Sequence, residues 1–270
     1  MGGLFLNIVL HQLSPVFCEK KYNVKRIIEA VKRFETSSGV LHVFPELFLT
    51  GYNCKKAFFK LAEPIPGSLT HKISRELSDE TYVLTGMAEL EAENKKIYNT
   101  AVLLGRNVVL AKYRKICLPN FWVFKEKEVF TAGETPTVTT IKNVKIGVQI
   151  CYDINFPELS RIQALKGSEI ITVISATPKE SIPRFKCLLK ARAIENQCFI
   201  VYVNRVGVEN DIVFGGNSMV ISPAGEVKLL LNESEKSCSF SIDIGEVPAV
   251  RSKTPLIKDA IEASFRFFNK

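Results

Sequence analysis

What most constrains this chain is a rhythm. Short, nearly unbroken apolar runs alternate with segments whose apolar residues recur at helical spacing. The run LFLNIVLHQ (4–12) precedes EKKYNVKRIIEAVKRFE (19–35), where Val24, Ile27, Ile28, Val31 and Phe34 share one helix face. GVLHVFPE (39–46) is a second strand-like run ending at Pro45-Glu46. TYVLTGMAEL (81–90), IYNTAVLLG (97–105) and NVVLAKYRK (107–115) follow, the last two joined at Gly105-Arg106 like a hairpin. VKIGVQIC (144–151) reads as the central strand. Pro157 then opens a helix, PELSRIQALKG, because proline is tolerated in a first turn, and Gly167 stops it. EIITVISA (169–176), a helix IPRFKCLLKARAIENQ (182–197) and CFIVYVNR (198–205) repeat the pattern. GGNSMVISPAGEVKLLLN (215–232) reads as a hairpin around Pro223-Ala224-Gly225, and IKDAIEASFRFF (257–268) as a closing helix. Continuous apolar strands need cover on both faces, so the pattern predicts a layered α/β sandwich.

No linker, low-complexity stretch or internal repeat divides the 270 residues, so residues 1–270 are expected to form one domain. A hydrophobic fraction of 46% is ample for its core. The formal net charge is +8, but the basic residues are scattered. Only AKYRKICLP (111–119) is dense, and no nucleic-acid motif accompanies it, so no nucleic-acid partner is expected. No run of about 18 apolar residues is present, so no membrane span is expected. MGGLFLNIVLHQL lacks a charged leader and a cleavage site, so it does not read as a signal peptide. Seven cysteines without a C-x-x-C pair fit free thiols in a reducing cytoplasm, not a disulfide scaffold. Three widely spaced histidines argue against a metal site, and no metal or other cofactor is expected.

Three polar groups end apolar runs: Glu46, Lys115 and Cys151. Catalytic groups of α/β folds gather at the carboxyl ends of strands. Taken singly, Cys151 reads as a small buried hydrophobe, the commoner fate of a cysteine, Glu46 as a strand-end charge and Lys115 as part of a solvated face. Together they are a coherent set. A thiolate is a competent nucleophile, a carboxylate can take its proton, and an ammonium can stabilise an oxyanion.

The stretches around these groups carry a resemblance. FPELFLTGY, KYRKICLPN and CYDINFPELSR are similar to the glutamate, lysine and nucleophile motifs of the nitrilase, or carbon–nitrogen hydrolase, superfamily. ARAIENQCFIVYVNRVG and FGGNSMVISPAGEV match its downstream signatures, in the same order along almost the whole chain. The resemblance implies an α-β-β-α sandwich that pairs through helices into an eight-layer α-β-β-α-α-β-β-α homodimer or a higher homo-oligomer. It also implies covalent catalysis. Cys151 attacks the carbonyl, or nitrile, carbon. Glu46 acts as general base and then acid. Lys115, with the backbone N–H of Tyr152, holds the tetrahedral intermediate. A second family glutamate falls in NFWVFKEKEVFTAGE and is assigned to Glu126, with Glu128 as the competing choice.

CYD followed by FPE is most similar to the amidase and omega-amidase-like branches, which act on small carboxamides. An N-carbamoyl-amide hydrolase and a non-catalytic binding member are the alternatives. A whole glutamine-dependent NAD synthetase is not expected, for want of a synthetase domain, nor is the membrane-spanning acyltransferase branch. Tyr52, Asn120, Phe121, Trp122, Tyr152, Ala176, Thr177 and Phe185 are candidate pocket residues, with core packing as their other reading. Phe185 stands where many relatives carry tryptophan. Arg184 is a candidate for a substrate carboxylate, or a solvated charge at a helix start.

Overall fold

The computed structural model describes residues 4–34 and 39–268, from 264 onward as backbone only. One sheet contains β1 (Phe5–Gln12), β2 (Val40–Val43), β3 (Thr81–Leu90), β4 (Ile97–Gly105) and β5 (Val108–Arg114). The second contains β6 (Val138–Ile141), β7 (Val144–Ile150), β8 (Ile170–Ser175), β9 (Phe199–Asn204), β10 (Met219–Ile221) and β11 (Val227–Leu230). The last strand, β12 (Lys236–Asp243), returns to the first sheet. The two orders are β12-β1-β2-β3-β4-β5 and β11-β10-β9-β8-β7-β6. β1, β2 and β3 are mutually parallel, as are β7, β8 and β9, and the flanking strands run antiparallel.

Parallel neighbours need long crossovers, and helices supply them. α1 (Lys20–Lys32) links β1 to β2, and α2 (Ser68–Ser74) lies between β2 and β3. α3 (Pro157–Leu165) and α4 (Ile182–Asn196) link β7 to β8 and β8 to β9. α5 (Glu246–Lys253) and α6 (Leu256–Phe268) close the chain.

The period-2 alternation of the strands sorts side chains between two kinds of core. Leu6, Ile8 and Leu10 of β1 and Leu41 and Val43 of β2 meet Ile146, Val148 and Ile150 of β7 and Val201 and Val203 of β9 between the sheets. On the far side of the first sheet, Val24, Ile27 and Val31 of α1 and Ile73 of α2 cover Val83, Val102 and Leu104. On the far side of the second, Phe185, Leu189 and Ala193 of α4 cover Ile171, Val173 and Ile200. The layers are therefore α-β-β-α, as expected.

Three sequence expectations need correction. VKIGVQIC is not central: β7 lies one strand in from the edge strand β6, because Val138–Ile141 pairs on its outer side. Neither Glu46 nor Cys151 sits within a strand. β2 stops at Val43 and β7 at Ile150, and both residues fall in the turns that follow. α1 is shorter than its apolar face suggested, ending at Lys32, and Glu35 lies outside the described residues.

Candidate active site

The carboxyl ends of β2, β5, β7 and β8 deliver four chain segments to one place. Glu46 sits in a tight turn against β3, with Gly86 N–H donating to the Pro45 carbonyl (3.2 Å). A Cβ on Gly86 would stand 2.2 Å from the Leu47 nitrogen, so only glycine allows this approach. Lys115 extends β5 by one residue, its N–H donating to the Asn99 carbonyl (2.8 Å).

Glu46, Lys115 and Glu126 are all buried. The Lys115 Nζ lies 2.8 Å from Glu46 Oε1 and 2.7 Å from Glu126 Oε1. Asn99 Nδ2 also donates to Glu46 Oε1 (2.7 Å), and the Ala176 N–H donates to Glu46 Oε2 (2.9 Å). The Tyr52 hydroxyl donates to Glu126 Oε1 (2.6 Å). Of the two glutamates in the 126–128 turn, Glu126 enters this network and Glu128 is exposed.

Two carboxylates share one ammonium here, and their electrostatics follow from that. Burial alone disfavours the Lys115 ammonium, but Glu126 and Glu46 outweigh it and hold its pKa above the ordinary lysine range. Burial pushes Glu126 up to about 7, with Glu46 adding to the rise while Lys115 and Tyr52 oppose it. Burial likewise pushes the Cys151 thiol up to about 12, and the Glu46 charge adds to this against Lys115. Cys151 therefore rests as a thiol beside a group that can take its proton.

Cys151 has φ 45°, a left-handed backbone that a non-glycine residue adopts at some cost. Asp153 holds that turn in place. It accepts from the Ile150 N–H (3.0 Å), the Cys117 N–H (2.8 Å) and the Tyr113 hydroxyl (2.7 Å). One carboxylate thus ties the turn after β7 to the turn after β5. Burial raises Asp153 to about 6, opposed by Lys115 and these donors. Thr177 places its Oγ1 3.6 Å from the Cys151 Sγ, and its N–H donates to Asn204 Oδ1 (2.8 Å).

The candidate pocket residues divide. Tyr52, Ala176 and Thr177 make the contacts above. Tyr152 packs its ring at a tilt against Phe121, 5.5 Å between ring centroids, on the exposed hairpin that also carries Asn120 and Trp122. That hairpin contributes to two cavities. One, of about 730 Å³, is lined by Tyr52, Glu126, Phe58, Val123 and Phe130; the other, of about 630 Å³, by Asn120, Phe121, Tyr152 and Phe156. Phe185 packs in the core under α4, 6.1 Å from the Tyr202 ring. Arg184 is exposed in the first turn of α4, its guanidinium 6.0 Å from the Phe185 ring.

Sequence reasoning missed four supporting residues: Asn99, Asp153, Arg205 and Glu209. The Glu209 carboxylate accepts from the Tyr52 N–H (2.9 Å) and the Asn53 N–H and pairs with the buried Arg205, so it fixes the loop bearing Tyr52. The one available signal was a polar residue inside an apolar run, as at Asn99 in IYNTAVLLG.

The fold is an α-β-β-α sandwich whose strand ends bring Glu46, Lys115 and Glu126 into one buried network, with Cys151 in the turn after β7. The chain belongs to the carbon–nitrogen hydrolase family, whose model matches residues 8–252. It is 31% identical to an (R)-stereoselective amidase from a Pseudomonas species, over 94% of this chain and 91% of that one. It is 30% identical to omega-amidase NIT2 of Xenopus tropicalis, over 95% and 94%. Among solved structures it superposes on Nit3 of Saccharomyces cerevisiae, a member of branch 10 of the nitrilase superfamily, with a TM-score of 0.84 and 26% identity, covering 93% of this chain and 95% of that one.

Proposed function

We propose that the protein hydrolyses the C–N bond of a small carboxamide through a thioester on Cys151. The observation that carries this reading is the division of Glu46. One oxygen is held by Lys115 and Asn99, the other by the Ala176 N–H, one residue from the Thr177 hydroxyl that faces the Cys151 sulfur. A base held from both sides cannot swing away from the thiol it serves. In the first step the Cys151 proton passes to Glu46 as the sulfur bonds to the carbonyl carbon. Lys115 and the Tyr152 N–H face the oxyanion. Glu46 then gives its proton to the nitrogen, the C–N bond breaks, and ammonia or an amine leaves. Water, losing a proton to Glu46, attacks the thioester. The carboxylic acid departs and the thiol is restored. Glu126 offsets the charge of Lys115 and fixes its direction. The active form is taken to be a homodimer, which sedimentation of the purified protein tests.

The amidase and omega-amidase relatives favour amides over nitriles as first substrates. The test is ammonia release from a panel of small amides, carbamoyl amino acids and nitriles, with wild type and Cys151→Ala in parallel. Turnover of an amide that falls about 10⁶-fold in the variant is the expected result. Carbon dioxide released with the ammonia would move the reading to an N-carbamoyl-amide hydrolase. A Cys151 that no substrate and no iodoacetamide modifies would end the catalytic reading.

A further inference from the structure

A second pair of reactive groups lies outside the mechanism. Cys18, in the loop between β1 and α1, places its Sγ 3.3 Å from that of Cys54. Both thiols are free. Their surroundings differ in a useful way: Cys18 is partly exposed, whereas Cys54 is 5% exposed and packed among Tyr52, Phe58 and Ile212. Cys18 has φ 59°, a strained left-handed backbone for a side chain with a Cβ, and its N–H donates to the Thr50 carbonyl (2.7 Å). The Cys54 sulfur faces that same carbonyl at 3.3 Å. One carbonyl thus anchors both cysteines. Neither lies in a strand or helix, so the two can approach without breaking a hydrogen-bond ladder.

We propose that Cys18 and Cys54 are a redox-modification site that closes to an intramolecular disulfide on exposure to a hydroperoxide. The chemistry balances in two steps. The sulfur of the partly exposed Cys18 attacks the peroxide O–O bond, giving Cys18 sulfenic acid and one molecule of water or alcohol. Cys54 then attacks the Cys18 sulfur. The S–O bond breaks, the Cys54 proton leaves with the hydroxide as water, and the S–S bond forms. A disulfide has its sulfurs roughly 2.05 Å apart, so closure needs a movement of about 1.2 Å. A small dithiol reductant or thiol–disulfide exchange reopens it. The stretch that ends in Cys54 also carries Tyr52, whose hydroxyl holds Glu126. Closure therefore clamps the loop that positions this carboxylate.

The test uses the full chain with Cys151→Ala, which removes the nucleophile as a competing target and makes the readout independent of amide turnover. The protein is treated with one equivalent of hydrogen peroxide, its remaining thiols are alkylated, and its peptides are weighed. The expected product is a linked peptide pair containing Cys18 and Cys54 and short of two hydrogens. It is lost on dithiothreitol treatment and absent when Cys18→Ser is added. The oxidised protein should also melt about 5 °C higher than the reduced one. A Cys18 sulfenic acid trapped by dimedone while Cys54 remains open to alkylation would overturn the proposal. So would a link that forms only in denaturant.

Discussion

Two clusters of glutamate and cation stand back to back on the two faces of the same strands, and they behave in opposite ways. On the outer face of the first sheet, Glu89 is held by the Nη2 and Nε of Arg114 (2.7 and 2.8 Å), by Lys112 (2.5 Å) and by Thr100 (2.8 Å). On the inner face, Lys115 and Asn99 hold Glu46, and Lys115 also holds Glu126. Arg114 and Lys115 are adjacent in sequence, as are Asn99 and Thr100; the pleat sends each neighbour to the opposite side. Glu89 is paired with two cations, of which Arg114 is shared with Glu91 (2.8 Å), and both still reach water, with Lys112 41% exposed. Burial pushes its pKa up, but Arg114, Lys112 and Thr100 more than reverse this and hold it below the usual carboxylate range. Glu126 shares one sealed ammonium with a second carboxylate and is pushed up to about 7. Both glutamates are buried, so burial does not separate the two roles. The ratio of carboxylates to cations does. Two cations for the two carboxylates Glu89 and Glu91 fix a charge, whereas one cation for the two sealed carboxylates Glu46 and Glu126 leaves a proton free to move.

Between the two clusters, the largest effect should come from removing the one cation of the inner one. Lys115→Met is expected to lower turnover about 10³-fold, by loss of the oxyanion's partner. The two carboxylates then face each other without an ammonium, and one of them takes up a proton. Glu46 keeps Asn99 and the Ala176 N–H, so the fold should survive, as circular dichroism will report. Turnover within tenfold of wild type would remove Lys115 from the chemistry.

A smaller effect is expected from Tyr52→Phe, which leaves all charges in place. The tyrosine hydrogen bond holds the Glu126 pKa down, so its loss raises that pKa further. If turnover requires the Glu126 carboxylate, the acid limb of the rate profile moves to higher pH. The rate should fall about tenfold near pH 6.5 and recover in alkali. The sign for stability is the reverse of the usual carboxylate case. Because the folded pKa is raised, the contribution of Glu126 to stability is greatest below the unfolded value and is lost as pH rises through about 7. A profile that drops equally at every pH would mean that Tyr52 acts by packing alone.

This division between faces was half legible in the sequence. The groups that end apolar runs, Glu46, Lys115 and Cys151, could be picked out because a charge or thiol after a buried strand is locally anomalous. What could not be read was pairing across long separations. Tyr52 depends on Glu209, and Cys117 on Asp153, through contacts that only the folded topology creates. The same limit hid β12. Its sequence, KSCSFSID, is rich in serine and weak in strand propensity, yet it pairs with β1 over eight residues at the sheet edge. α2, too, carries only SLTHKIS, too short to display a period, and is set by the packing of Leu69 and Ile73 under the sheet.

The smallest effect on turnover should come from the outer cluster, and it separates structure from chemistry. Glu89→Gln keeps the shape but removes the charge that Arg114 and Lys112 share. Turnover should stay within about twofold, because none of these groups touches Glu46 or Cys151. Stability should fall by about 2 kcal/mol at neutral pH, a figure discounted because Lys112 and Arg114 remain partly solvated. The pH dependence fixes the cause. Glu89 has a depressed folded pKa, so its contribution is fully present above the unfolded value near about 4.3 and vanishes as pH falls through the folded value. Urea unfolding of wild type and variant should therefore converge in acid and diverge on the way to neutrality. Glu126, whose proton is held up to about 7, loses its contribution over the range where that of Glu89 has become complete. Curves that stay parallel from acid to neutral pH would mean that packing, and not charge, sets the worth of Glu89, and the contrast between the two faces would then rest on shape.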